Sequence, residues 1–152
     1  MDEHDFAWRE GRWRFRVRPL SLACCALEVD DARPADADLP GARARVADPP
    51  APAPDVVHVL VVAGTVTEAL VPAVQAAYAQ LPEPRRVISY GACANSGGPY
   101  WDSYSVRNGV HRLVPVDVVV PGCPPRPEAL ADGLRVLAAR LDAEPAAGPG
   151  RT

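Results

Sequence analysis

An uninterrupted apolar stretch, VVHVLVVA at residues 56–63, constrains the fold of this chain more than any other feature. Continuous apolar runs of this length are typical of strands buried on both faces of a parallel sheet. Two further apolar runs follow it, RVISY (86–90) and LVPVDVVV (113–120), and each ends in a turn rich in glycine or proline. The sequence therefore predicts three buried strands of one sheet.

Two helices are predicted to flank these strands. Thr65 and Glu68 have capping-box spacing at the start of the first helix, and Pro72 is expected to kink that helix. The second helix is predicted over about 127–142, with Pro127 in its first turn and leucines along one face. Strands and helices in this order predict an α/β fold with a mostly parallel sheet and flanking helices.

The other segments are arranged around this single domain. Residues 1–20 are predicted to be an N-terminal extension, in which WRFRVRPL (13–20) alternates basic and apolar side chains like an edge strand. This segment would be either a surface strand with solvated arginines or an arm that docks on another surface. Residues 21–142 are predicted to form the α/β domain, with a long irregular loop rich in proline and alanine over 30–54. Residues 143–152 are predicted to be a disordered tail.

Composition excludes several classes of function. The net charge of −3 gives no basic excess for nucleic-acid binding. No apolar run reaches the roughly 18–20 residues of a membrane span, and the acidic start MDEHDFAWRE lacks the apolar core of a secretory signal. We therefore expect a cytoplasmic protein, in which cysteines stay reduced and serve as ligands or reactive thiols.

The four cysteines are the main candidates for chemistry. Cys93 and Cys123 each lie three residues past a predicted strand, so both thiols are expected at the same edge of a parallel sheet. Cys24 and Cys25 are adjacent in an apolar run, where such a pair is commonly just buried core. Four converging thiolates would suit zinc or an iron–sulfur cluster. Adjacency of the first pair favours the cluster, because zinc knuckles usually separate their cysteines by two to four residues.

Glycines surround the two strand-end cysteines. Gly91, Gly97 and Gly98 would let the backbone approach a bulky inorganic group near Cys93, and Gly122 precedes Cys123. The backbone amides of residues 91–98 and of Gly122 are predicted to donate hydrogen bonds to sulfur. These four glycines are the predicted cofactor-binding residues.

Several motifs together carry a resemblance to a known family. The chain resembles the B (PSST) subunit of respiratory complex I, the NADH:quinone oxidoreductase. The matching segments are LACCALE (22–28), VVAGTVTEALVPAV (61–74), GACANSGG (91–98) and VPVDVVVPGCPPRPEAL (114–130).

The resemblance implies a flavodoxin-like core that holds one [4Fe–4S] cluster and passes single electrons toward quinone. The family's four cluster ligands match Cys24, Cys25, Cys93 and Cys123. It also implies three kinds of partner: a subunit related to hydrogenase large subunits, a ferredoxin-like iron–sulfur subunit and membrane subunits. The chain would be peripheral on the inner face of the bacterial plasma membrane. It would belong to an oxidoreductase complex without supplying a catalytic residue of its own.

Two alternatives stay open. The chain could be the small subunit of a [NiFe]-hydrogenase-like membrane complex, although those subunits typically carry C-x-x-C at the first pair. It could also be a scaffold subunit that binds zinc or no cluster. Glu28 could couple protonation to the redox state of the cluster, whereas His58 and His111 are more typical of packing or surface positions. The aromatic residues of YWDSY (100–104) could line an interface or an acceptor pocket.

Overall fold

The computed structural model describes residues 5–34 and 55–144 of the 152-residue chain. Within these ranges, four α-helices accompany one five-stranded sheet. The strands are β1 (Phe6–Glu10), β2 (Trp13–Ser21), β3 (Val56–Ala63), β4 (Arg85–Tyr90) and β5 (Val118–Val120). The helices are α1 (Cys25–Asp31), α2 (Val71–Gln80), α3 (Ala92–Ser96) and α4 (Glu128–Ala143). Three 3₁₀ turns cover Glu68–Leu70, Gly98–Tyr100 and Val110–Arg112.

The sheet is parallel except at one edge. Strands β2, β3, β4 and β5 pair in parallel, and β1 pairs antiparallel with β2. The predicted α/β class, with a mostly parallel sheet and flanking helices, is confirmed. The described strands follow chain order, rather than the 2-1-3-4-5 order of flavodoxin itself, so the likeness to flavodoxin lies in the layering.

The core lies on both faces of the sheet, as the apolar run of β3 requires. Val57, Val59 and Val61 pack on one face with α1 and α4. Leu60 and Val62 pack on the other face with α2 and α3. Because side chains alternate along a strand, a strand that is covered on both faces must be apolar at nearly every position.

The WRFRVRPL segment is an interior strand, so the prediction of an edge strand was wrong. It forms most of β2, which pairs with both β1 and β3. Phe15 and Val17 are buried on the α4 face, whereas Arg14 and Arg16 alternate onto the other. From residue 6 onward, the segment assigned to an N-terminal extension therefore contributes two strands to the sheet.

The first predicted helix begins later than expected. Glu68 forms an ion pair with Arg107 at 2.7 Å, and Thr67 bridges to Val106, so the predicted Thr65–Glu68 capping box does not form. Helix α2 starts at Val71, and Pro72 lies in its first turn. The predicted kink is absent from α2, because a first-turn proline gives up no hydrogen bond of the helix.

The last predicted strand is shorter than its apolar run. β5 covers Val118–Val120, whereas the prediction was 113–120. Asp117 takes over the pairing at the start of β5: its carboxylate accepts from the Val87 amide at 2.9 Å, and its own amide donates to the Val87 carbonyl. Pro115, just upstream, has no N–H to offer to a ladder.

The remaining boundary predictions are tested in part. Helix α1 extends through Asp31, so the loop predicted over 30–54 starts later than expected. Residues 35–54 of that loop lie outside the described residues, as do residues 145–152 of the predicted tail. Helix α4 matches the prediction closely, with Leu130, Leu134, Leu137 and Leu141 buried along one face.

Candidate functional site

The carboxyl ends of the four parallel strands form one row. Ser21, Ala63, Tyr90 and Val120 are consecutive partners across the sheet. Each cysteine follows one of these ends: Cys24 and Cys25 follow β2, Cys93 follows β4, and Cys123 follows β5. The fold therefore places all four cysteines along the same edge of the sheet.

The four thiols differ in burial. Cys25 and Cys93 are 2% and 5% exposed, whereas Cys24 and Cys123 are exposed. Burial, with smaller contributions from the neighbouring Cys24, Cys93 and Cys123, raises the pKa of the Cys25 thiol to about 11. The other three cysteines therefore all lie within electrostatic reach of Cys25. The arrangement has two buried thiols on the protein side and two on the solvent side.

Gly91 and Gly98 allow the backbone to lie against the two buried sulfurs. A Cβ at Gly91 would lie 2.6 Å from the Cys25 Sγ, and Gly91 has a φ of 93°. A Cβ at Gly98 would lie 3.1 Å from the Cys93 Sγ, and its φ is 55°. Both positions require glycine for space and for backbone conformation. The backbone therefore lies close to the Cys25 and Cys93 sulfurs at these two positions, and the cofactor-binding role of the glycines stays a prediction.

The amide groups of two predicted glycines have other acceptors. The Gly91 amide donates to the Val120 carbonyl at 2.9 Å, and the Gly97 amide donates to the Cys93 carbonyl at 2.9 Å. The expectation that these two amides donate to sulfur was therefore wrong: the Gly91 amide bonds to the end of β5, and the Gly97 amide closes the end of α3. Gly122 contributes through its carbonyl, which accepts from the Ala92 amide at 2.8 Å.

A side-chain clamp joins the two strand-end turns. Asn95 in α3 donates from its Nδ2 to the Val120 carbonyl at 2.9 Å, and its Oδ1 accepts from the Ser89 hydroxyl at 2.6 Å. The clamp fixes the Cys93 helix against the end of β5. Asn95 was not among the predicted site residues, although an amide side chain in a glycine-rich turn is a signal for such a bond.

Tyr90, at the end of β4, is a buried residue whose hydroxyl can ionise. Burial, with smaller contributions from the charges of Glu28, Cys25 and Glu128, raises the pKa of Tyr90 to about 12. Glu28 is half-buried in α1. A redox-linked role for Glu28 remains a prediction.

The two histidines lie away from the thiols or at the surface. His58 lies opposite Arg16 of β2 and Arg85 of β4 in the sheet register. It is five residues before the carboxyl end of β3, which at the rise of a strand is about 16 Å away. His111 is exposed and lies against Gly109. Their predicted packing and surface roles agree with these positions.

Exposed apolar side chains lie near the cysteine edge in the chain. Leu27 is 73% exposed in α1, two residues past Cys25, and Tyr104 is 98% exposed. Tyr100 and Trp101 follow Gly98 and are more than half exposed. We call these four residues the apolar rim. The exposure of Leu27 was not predicted, because an apolar residue within an apolar run gives no sequence signal that it is exposed.

Across residues 5–34 and 55–144, no group of three or more His, Cys, Asp or Glu side chains is placed to surround one metal ion. Within the same ranges, none of the helices has the length and apolarity to cross a bilayer.

Comparison with known proteins gives a consistent result. Residues 23–137 match the family model described as NADH ubiquinone oxidoreductase, 20 Kd subunit. The chain is 50% identical over 133 residues to the second B subunit of NADH-quinone oxidoreductase from Streptomyces griseus, covering 88% of this chain and 55% of that protein. It is 50% identical over 135 residues to the first B subunit of NADH-quinone oxidoreductase from Salinispora tropica, covering 89% of this chain and 70% of that protein. The chain thus spans little more than half the length of the Streptomyces relative.

A solved structure shares the fold. It is a chain of the membrane-bound sulfane sulfur reductase, an archaeal respiratory membrane complex, and it matches with a TM-score of 0.58 at 30% identity. The match covers 84% of this chain and 74% of that one.

Proposed function

The chain belongs to the NADH ubiquinone oxidoreductase 20 Kd subunit family, and from this membership we propose that it is an electron-transfer subunit holding one [4Fe–4S] cluster through Cys24, Cys25, Cys93 and Cys123. The resemblance read from the sequence motifs is confirmed at the level of the family. The ligand set, the cluster and the path of the electron are the proposal.

The observation that carries the proposal is that four cysteines from three separate segments lie along the carboxyl edge of one sheet. Cys24, Cys93 and Cys123 all contribute to the raised pKa of Cys25. Cysteine thiolates are the usual ligands of [4Fe–4S] clusters. Glycine at positions 91 and 98 keeps the backbone from filling the space beside the two buried sulfurs. The donor set and the space around it therefore fit such a cluster.

When bound, the cluster would supply reversible one-electron transfer, and the protein would supply position and environment. Cys25 and Cys93 lie in the core and keep water from one side of the site. Cys24 and Cys123 are exposed on the other side, which leaves that side open to an electron donor or acceptor. The Asn95 clamp keeps the β4 and β5 turns at a fixed separation.

The exposure of the apolar rim supports contact with a partner subunit. Aromatic side chains are enriched in protein interfaces and are costly to leave in water. The partner would be the subunit related to hydrogenase large subunits, with quinone reduced at the interface. A ferredoxin-like iron–sulfur subunit would deliver the electron, and membrane subunits would hold the complex at the inner face of the plasma membrane. The membrane complex named for the solved relative agrees with a peripheral location of this kind.

Anaerobic purification with iron and sulfide analysis tests the cluster. We expect about four irons and four sulfides per chain and an EPR signal in the reduced state. Cys93→Ser is expected to lose the signal, whereas Ser96→Ala, an exposed substitution in the same turn, is expected to retain it. One zinc per chain without sulfide would overturn the proposal and leave the scaffold alternative.

The solved relative favours a second candidate for the electron acceptor. Its name specifies sulfane sulfur reduction, so the same cluster could serve a complex whose acceptor is sulfane sulfur rather than quinone. Reoxidation of the reduced complex separates the two. A quinone analogue that restores the oxidised EPR state faster than polysulfide does supports quinone, and the reverse order supports sulfane sulfur.

A further inference from the structure

Tyr90 lies at the carboxyl edge of the sheet, where the cysteines follow the strands. It is the last residue of β4, it is fully buried, and its ring lies on the face of the sheet covered by α1 and α4. Its strand neighbours are Ala63 on β3 and Val120 on β5. Burial and the two neighbouring strands therefore already restrict the position of the Tyr90 ring, apart from any hydrogen bond of its hydroxyl.

The hydroxyl of Tyr90 reaches the turn that carries Cys123. It donates to the Arg126 carbonyl at 2.8 Å, and the Pro125 carbonyl lies at 3.5 Å from the same oxygen. These carbonyls lie two and three residues past Cys123. A buried phenol needs a partner, and here the partner is the backbone of the turn over residues 122–126, which we call the Cys123 turn.

The Cys123 turn and Cys25 meet over Gly91, the residue after Tyr90. A Cβ built on Gly91 would contact the Cys25 Sγ at 2.6 Å and the Pro125 Cδ at 3.4 Å. Pro125 is also folded tightly under Gly122, with 2.5 Å between its Cα and a Cβ built there. A displacement of the turn at Pro125 would thus shift the positions of both Cys25 and Cys123.

We propose that Tyr90 is a positioning residue, whose hydroxyl ties the Cys123 turn to β4 and so sets Cys123 relative to Cys25. It complements the Asn95 clamp, which acts on the opposite face of the sheet at Val120. The role toward the cluster rests on the proposed function, whereas the tie between Tyr90 and the turn does not.

Tyr90→Phe tests the proposal, because it keeps the ring and removes only the hydroxyl. In the full chain without cluster, amide hydrogen exchange is expected to speed up about fivefold at Ala92 and Ala129, whose amides donate to the Gly122 and Arg126 carbonyls of the Cys123 turn; this is the ratio given by a net hydrogen bond of about 1 kcal/mol. In the loaded protein, the EPR line shape and midpoint potential are expected to change while the irons per chain stay near the wild-type value. Replacing Tyr90 with 3-fluorotyrosine keeps the ring and the donor and is expected to restore the wild-type values.

Tyr78→Phe is the matched control, since Tyr78 lies in α2 on the other face and stacks on Arg85 at 4.3 Å. It is expected to leave the exchange at Ala92 and Ala129 and the EPR signal unchanged. Wild-type exchange and wild-type EPR parameters in Tyr90→Phe would overturn the inference and leave the cluster proposal standing. A wild-type chain that takes up no iron would overturn the cluster proposal, and the exchange comparison would still decide whether Tyr90 holds the turn.

Discussion

Gly91→Ala is expected to damage the site more than any other single methyl group added to the β4 turn. The new Cβ would lie 2.6 Å from the Cys25 Sγ, whereas ordinary contacts begin near 3.4 Å. Cys25 is in the core and Gly91 is held by its bond to Val120, so neither side can yield freely. The backbone of Gly91, with φ 93° and ψ 160°, is also in a region that only glycine adopts without strain.

The cost follows from these two effects. Backbone strain of this kind contributes about 1–3 kcal/mol, and overpacking in a core contributes about 1–3 kcal/mol. We therefore expect the free energy of unfolding to fall by about 4 kcal/mol, a large part of the roughly 5–15 kcal/mol that stabilises a domain. Displacement of the Cys25 thiol should also lower the iron retained per chain.

Urea unfolding of the cluster-free chain measures the first effect. With a slope of about 2 kcal/mol/M, the midpoint should move down by about 2 M. Gly11→Ala is the matched control: Gly11 also has a positive φ, 57°, but a Cβ there would meet nothing within 4 Å. It should cost only about 1 kcal/mol. Equal costs for the two variants, or wild-type iron content in Gly91→Ala, would refute the argument from crowding against Cys25.

Two further predictions concern the thiols and the rim. The folded-state pKa of Cys25, about 11, lies above the 9.0 of a free thiol, so its contribution to stability is fully present below pH 9 and is lost as the pH rises toward 11. Urea titrations of the cluster-free chain should show the free energy of unfolding falling by about 1.4 kcal/mol by pH 10. Cys25→Ala should remove that decrease. An equal decrease in the variant would contradict the assignment to Cys25. The double substitution Trp101→Ser and Tyr104→Ser should weaken binding of the partner subunit at least about tenfold without moving the urea midpoint, whereas Val136→Ser on α4 should leave binding unchanged. Undiminished pull-down of the partner by the double variant would exclude the rim as the interface.

The sequence predicts the interior of this fold better than its connections. Residues 56–63 are β3 to the residue, because burial on both faces leaves a continuous apolar pattern. Thr65 and Glu68 misled the helix prediction, because Glu68 is held by Arg107, far along the chain. Local pattern cannot reveal such a partner.

The site was predictable in its residue types and less so in its support. The edge shared by Cys93 and Cys123 follows from parallel pairing alone, and the structure adds Cys24 and Cys25 to the same edge. The roles of Asn95 and Tyr90 depend on which backbone carbonyl lies opposite them, and this is fixed by register. The amides of Gly91 and Gly97 were misassigned for the same reason.

The scatter of the cysteines along the chain has a consequence for biogenesis. They span residues 24 to 123 and come together only through the pairing of β2, β3, β4 and β5. A nascent polypeptide therefore has no complete set of thiols until Cys123 has left the ribosome and the last strand has docked. For the proposed cluster, the full set of four ligands would therefore be offered by the folded sheet edge and not by a short linear peptide.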